Sequence, residues 1–308
     1  MKGQFLIAEM LATPWALRRE VLAGHAQVMA RWVAGGSFAG DEEGVEWGET
    51  VSAFESRRQA AQVRAGGGGI AVIPVHGTIV QRAGMMTEWC GGTSTQQASA
   101  ALREALADET VGQILMEFDS PGGSVYGVGE FAAEIAQAKA GKPIVGICNS
   151  LAASAGYWLA SQCSEVYVTP GGEVGSIGVW MAHEDWSRAL DEAGVKTTLI
   201  SAGKFKTEGN PYEPLDPDAQ AFMQSRVDDY YQAFTKAVAK GRGVPIDSVR
   251  GGMGQGRVLG ADQAMAEKMV DGVATFDEVV KRMQRNAKAS APKGSARRAA
   301  EREIDLLR

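Results

Sequence analysis

The chain has 308 residues, 45% hydrophobic and 22% charged, with a formal net charge of −6. That balance excludes the basic face of a nucleic-acid binder, and without a run of 18 apolar residues no transmembrane helix is expected. Cys90, Cys148 and Cys163 follow no disulfide or metal spacing, and His25, His76 and His183 are scattered, so neither a metal site nor a cofactor is expected. Met1–Ala16 is mildly apolar, but Glu9 interrupts it and no clean cleavage site follows. A cytoplasmic protein is therefore expected rather than a secreted one.

Thr13-Pro14 reads as an N-cap followed by proline at the first helical position. Leu17, Val21, Ala26, Met29 and Val33 continue a helical stripe to about Ala34, where Gly35-Gly36 stops it. Residues 35–68 are rich in glycine and acidic residues and read as a linker. The first unit is thus a helical arm and linker over 1–68. Ile70–Val75 is a continuously apolar strand, buried on both faces. The 76–93 loop carries Met85, Met86 and Trp89, either a hydrophobic lip over a groove or simple loop anchors. Ser94 with Gln97 forms a capping box for a helix to about Asp108. Val111–Phe118 is a strand, Asp119–Gly123 a turn, and a helix follows to about Ala140. Pro143–Cys148 is a strand, Ser154–Gln162 a helix, and Glu165–Val168 a strand. Further on come a helix over Glu184–Ala193, a strand over Val195–Ile200, a loop over Ser201–Pro214 and a helix capped by Asp216 that ends at Gly241. A short helix near Pro245–Arg250, a helix from Ala261, a turn at Asp271-Gly272 and a last helix to about Arg285 complete the domain. The alternation of strand and helix predicts an α/β fold with a largely parallel sheet over 69–287. The basic tail, 288–308, reads as flexible or marginally helical.

The chemistry centres on Asn149–Ala160, N-S-L-A-A-S-A-G-Y-W-L-A. Ser154 sits where a strand gives way to a helix, among small side chains that let a substrate backbone approach. A helix start supplies unpaired N–H groups for an oxyanion. The D-S-P-G-G turn is a tight connection or half an oxyanion hole; in the second case Gly123 or Gly122 N–H pairs with that of Ala155, the residue after the nucleophile. A serine needs a base. His183 would serve a Ser-His-Asp arrangement. Lys206, in G-K-F-K-T-E-G-N-P-Y, would serve if burial lowered its pKa from about 10.4 toward neutrality.

These residues carry a family resemblance. G-I-A-V-I-P-V-H-G-T-I-V, D-S-P-G-G-S-V, N-S-L-A-A-S-A-G-Y, G-S-I-G-V-W-M-A-H, G-K-F-K-T-E-G-N-P-Y and the G-x-x-x-A-x-x-x-x-M-V-D pattern over Gly260–Asp271 stand in order from about Gly69 to Val279. Together they resemble the signal peptide peptidase A family of serine proteases, and within it the capsid assembly (prohead) proteases of tailed phages. The resemblance implies a crotonase/ClpP-like repeated ββα core and a Ser-Lys dyad of Ser154 and Lys206. It implies Ser176 as the residue that orients the lysine, Gly123 and Ala155 as oxyanion donors, and a structural role for His183. It further implies a homo-oligomer acting on scaffold, portal or major capsid protein, and perhaps on itself, in the host cytoplasm or inside an immature capsid. Neither nucleic acid nor membrane is an expected partner. A general cytoplasmic peptidase of the family, a crotonase-type acyl-CoA enzyme and a non-catalytic assembly factor are the alternatives.

Overall fold

The computed structural model describes residues 12–22, 24–25, 62–63, 69–83 and 91–290. In chain order the first elements are β1 (Trp15–Leu17), β2 (Gln62–Val63), β3 (Gly69–His76), β4 (Thr78–Val80), β5 (Gly92–Ser94), α1 (Thr95–Ala107), β6 (Val111–Ser120), β7 (Gly122–Ser124) and α2 (Val128–Ala138). There follow β8 (Ile144–Ala153), α3 (Ala155–Ala160), β9 (Glu165–Val168), β10 (Glu173–Gly175), α4 (Ser187–Glu192), α5 (Pro217–Arg242), α6 (Ile246–Gly251), β11 (Val258–Gly260), α7 (Ala261–Ala266), β12 (Gly272–Val273) and α8 (Phe276–Ser290).

The larger sheet is built on β3, β6 and β8, mutually parallel. β8 is long enough to pair twice. Its first half lies beside β9, and after a kink at Ser150 (φ 99°) its last three residues pair with β10. The smaller sheet has the order β1-β7-β4-β5. Chain crosses between the sheets at Ser120, whose Oγ donates to the Gly77 carbonyl at 2.6 Å and accepts from Gly122 N–H at 3.2 Å.

Each face of the larger sheet is covered. The main core joins Ile114, Met116, Phe118 and Cys148 to Leu102 of α1, Phe131 and Ile135 of α2, Tyr157 and Trp158 of α3 and Phe234 of α5. On the opposite face Val279, Val280 and Met283 of α8 close over Ile70, Leu115, Val145 and Ile147. Burial on both faces explains why these strands read as unbroken apolar runs.

Local signals hold where the backbone itself enforces them. Ser94 caps α1 by accepting from Gln97 N–H, and Asp216 caps α5 by accepting from Asp218 and Ala219 N–H with Pro217 at the first turn. Three expectations are corrected. Trp15–Leu17 is a strand, not the opening of a helix, because its backbone finds partners on both edges. Val195–Ile200 is not a strand: its β-branched residues stay exposed, Ile200 at 96%, with no neighbouring strand among the described residues. The 76–93 stretch holds β4 and β5; Met85, Met86 and Trp89 lie outside the described residues, as do Cys90 and the tail beyond residue 290. Among the described residues no helix is long and apolar enough to cross a membrane.

Candidate active site

Ser154 occupies the joint between β8 and α3 with φ 54° and ψ −119°. Few non-glycine residues tolerate positive φ, so the surroundings must hold it there. They do so through both backbone groups: Ser154 N–H donates to the Gly175 carbonyl at 2.7 Å, and its carbonyl accepts from Trp158 N–H at 2.9 Å. The side chain makes no capping bond to its own helix. Ser154 is 1% exposed, and the helix behind it is buried throughout. The position has the features of a strained strand-to-helix turn that presents a hydroxyl.

Gly122 and Gly123 lie across from it. Gly122 has φ 107°, and a Cβ there would stand 2.9 Å from Ser154 Cβ and collide with the Ala16 carbonyl. A side chain on Gly123 would strike the backbone of Ile79, whose carbonyl carbon would be 2.5 Å away. Both positions therefore require glycine, and two strands of the smaller sheet, β1 and β4, flank them. Ala155 opens α3, so its N–H is one of the four that a helix leaves without an internal partner. Ser176 follows Gly175 with φ 53°, and its N–H donates to the Arg257 carbonyl at 2.8 Å. Since Gly175 lies opposite Ala153 in the β8–β10 pairing, Ser176 stands beside the serine turn.

Ser154, Ala155, Gly122, Gly123 and Ser176 are thus assembled by one chain. Lys206 is not joined to them. It is exposed, its N–H donating to the Gly203 carbonyl at 3.1 Å. The loop around it is nonetheless built. Asn210 donates to the Thr207 carbonyl at 2.7 Å and accepts from Tyr212 N–H at 2.9 Å. His183 Nε2 lies 2.9 Å from the Asn210 carbonyl, so this histidine fastens the lysine loop. Cys148 and Cys163 are buried free thiols; burial pushes Cys163 up to about 12 and Cys148 upward as well, which leaves both unreactive.

Two features were not anticipated from sequence. A polar cluster bridges β3, β6 and β8: Asn149 Nδ2 donates to Glu117 Oε1 at 2.7 Å, and His76 Nε2 lies 3.4 Å from Glu117 Oε2. Asp119, opposite His76, has its carboxyl raised by burial, with His76 opposing and Glu117 adding to the shift. The alternation of Glu117 and Asp119 at the end of a buried strand was the available signal. The second feature is Trp180, which pairs with Trp15 and so brings residues 13–18 beside the serine turn.

Residues 136–290 match the family model described as Peptidase family S49. The chain is 38% identical over 203 residues to the head-tail preconnector protein GP5 of Enterobacteria phage P21, an alignment covering 66% of this chain and 40% of that protein. It is 40% identical over 181 residues to capsid assembly protease C of Escherichia phage lambda, covering 59% and 41%. Protease 4 of Salmonella typhi is 30% identical over 223 residues, covering 72% and 35%. The chain spans about two fifths of the length of the phage relatives it matches. A family match over half the sequence, containing Ser154, Ser176 and Lys206, shows that the chain belongs to peptidase family S49.

Proposed function

We propose that the protein is a serine endopeptidase with a Ser154–Lys206 dyad that cleaves scaffold, portal or coat proteins during phage capsid maturation. The observation that carries this reading is the strained Ser154 turn set against the Gly122-Gly123 backbone. Neutral Lys206 takes the Ser154 proton and Oγ attacks the scissile carbonyl. The oxyanion rests on the amides of Gly123 and Ala155, and water then hydrolyses the acyl-enzyme. Ser176 orients the lysine amine. The substrate class comes from the phage relatives named above, and the place of action would be the host cytoplasm or the interior of an immature capsid. A crotonase/ClpP-like reading of the two sheets, with 1–68 as an arm, 69–287 as the peptidase domain and 288–308 as a tail, accompanies this assignment.

The exposed lysine loop would give an oligomer a role. Val195, Leu199, Ile200 and Phe205 are large exposed apolar residues flanking Lys206. Packing this segment against a second copy would bury apolar surface, carry the lysine toward a serine turn, and favour the neutral amine by desolvation. Activity would then follow assembly.

The test is hydrolysis of an unstructured protein substrate by wild type, Lys206→Ala and His183→Ala. Loss of a general base costs about 10^2- to 10^4-fold, so Lys206→Ala should fall that far while His183→Ala, which only loosens the loop, should fall less. The reverse order would assign the base to His183 and overturn the dyad.

A further inference from the structure

The segment around β1 lies where the mechanism above needs a substrate. Along one edge it runs antiparallel to β7, with Trp15 opposite Ser124, Ala16 opposite Gly123 and Leu17 opposite Gly122. Val125 N–H donates to the Pro14 carbonyl at 3.5 Å and Arg18 N–H to the Pro121 carbonyl at 3.1 Å. Antiparallel pairs alternate between bonded and non-bonded. Ala16 and Gly123 stand midway between these two bonded pairs, so they form a bonded pair too, and the Gly123 amide faces the Ala16 carbonyl.

Along the other edge Trp15 N–H donates to the Trp180 carbonyl at 2.9 Å, and Trp180 N–H donates back to the Trp15 carbonyl at 3.0 Å. The Trp180 indole N–H adds a bond to the Leu17 carbonyl at 2.8 Å. The segment is therefore an extended strand bonded on both edges. Ala16 is wholly buried, and Trp15 and Leu17 are nearly so. The position that a Cβ on Gly122 would take lies 3.1 Å from the Ala16 carbonyl carbon and 2.9 Å from Ser154 Cβ. The Ala16 carbonyl is thus set beside the nucleophile candidate and an oxyanion donor, with its methyl group buried in the main core.

We propose that residues 14–18 are an internal occupant of the substrate groove, with Ala16 in the place of the residue on the acyl side of the scissile bond, and that an outside peptide binds only by displacing them. This rests on the protease reading for the identity of the groove. The competition follows from tethering: a segment on the same chain acts at an effective concentration in the millimolar range. A peptide of comparable intrinsic affinity is therefore weakened tenfold or more while the segment is seated.

The experiment uses the full chain carrying Ser154→Ala, so that nothing is turned over, and a fluorescein-labelled peptide of residues 12–19 as probe. Adding Ala16→Arg places a long cation where the core closes around a methyl. Adding Trp15→Pro instead removes the N–H that bonds Trp180. Either change should strengthen peptide binding by anisotropy at least tenfold over Ser154→Ala alone. Equal affinity in all three folded proteins would overturn the proposal. If both variants fail to fold, amide exchange of the single Ser154→Ala protein decides. Excess peptide should speed exchange at Trp15 and Arg18, and unchanged exchange with peptide bound would overturn it. Binding is read without catalysis, so failure of the protease reading would show separately, as absence of hydrolysis by proteins in which displacement still occurs.

Discussion

Gly122→Ala probes the site at its narrowest point. The native φ of 107° lies where L-residues are strained, a cost of about 1–3 kcal/mol. The new methyl would also collide with the Ala16 carbonyl and stand 2.9 Å from Ser154 Cβ, and forcing a packed site to yield costs about 1–3 kcal/mol more. A total near 3 kcal/mol corresponds to a fall in Tm on the order of 10 °C. Catalysis should fall further than stability requires, because the methyl fills space that a substrate carbonyl must share; loss of one oxyanion contact alone is worth about 10^2- to 10^3-fold. The assay is thermal unfolding together with peptide hydrolysis at a temperature where both proteins are folded. Part of the stability cost comes from Ala16, so it should shrink by about 1 kcal/mol when Ala16→Arg has already expelled the arm. A Gly122→Ala protein that melts within about 1 °C of wild type and hydrolyses peptide at the wild-type rate would refute the placement of the groove.

Two further predictions concern the scaffold behind the site. Trp158 follows Ser154 by one turn and stacks on Phe234, centroids 4.6 Å apart and planes 6° from parallel. Trp158→Ala should cost about 3–5 kcal/mol in urea unfolding. Trp158→Phe should cost about 1–2 kcal/mol, since it also removes a buried indole N–H that has no hydrogen-bond partner among the described residues. Asp271 joins α5 to β9: Arg242 donates to its two oxygens at 2.8 and 2.9 Å and Val166 N–H at 2.7 Å. Burial alone would raise this carboxyl, but Arg242 and Val166 outweigh it and hold it below its ordinary value. A depressed folded value means the contribution is present above the unfolded value, near ~3.9, and is lost as pH falls through the folded one. With the Asp271 side chain 40% exposed, screening by solvent limits the pair, so Asp271→Asn should cost about 1 kcal/mol at pH 7, with the gap to wild type closing in melts taken below the folded value; a gap that persists there would contradict the ion-pair account.

The elements that could be read in advance are those whose cause is local. Asp216-Pro217 writes its cap and first turn into adjacent residues, and Glu165–Val168 has turns on both sides to bound it. The strand-to-helix joint at Ser154 was legible because small residues between an apolar strand and a helix allow a tight turn. What escaped depends on partners distant in sequence. Thr13-Pro14 carries a valid helix-start signal, yet β7 and Trp180 supply two strand edges, and those bonds outweigh local preference. Val195–Ile200 has strand propensity without an edge to join, and propensity alone does not make a sheet. The exposure of Lys206 was likewise illegible: its loop is stapled by Asn210 and His183, contacts that residue spacing alone does not announce.

The central claim, covalent catalysis by Ser154, is tested most directly by trapping the acyl-enzyme. Wild type, Ser154→Ala and Lys206→Ala are mixed with an activated ester of an N-acylated alanine, quenched in acid and weighed intact. The account predicts one acyl group per wild-type chain, mapped to the peptide containing Ser154, none on Ser154→Ala, and slow accumulation on Lys206→Ala. Acylation of Ser154→Ala at the wild-type rate, or an acyl group mapped to another residue, would contradict it.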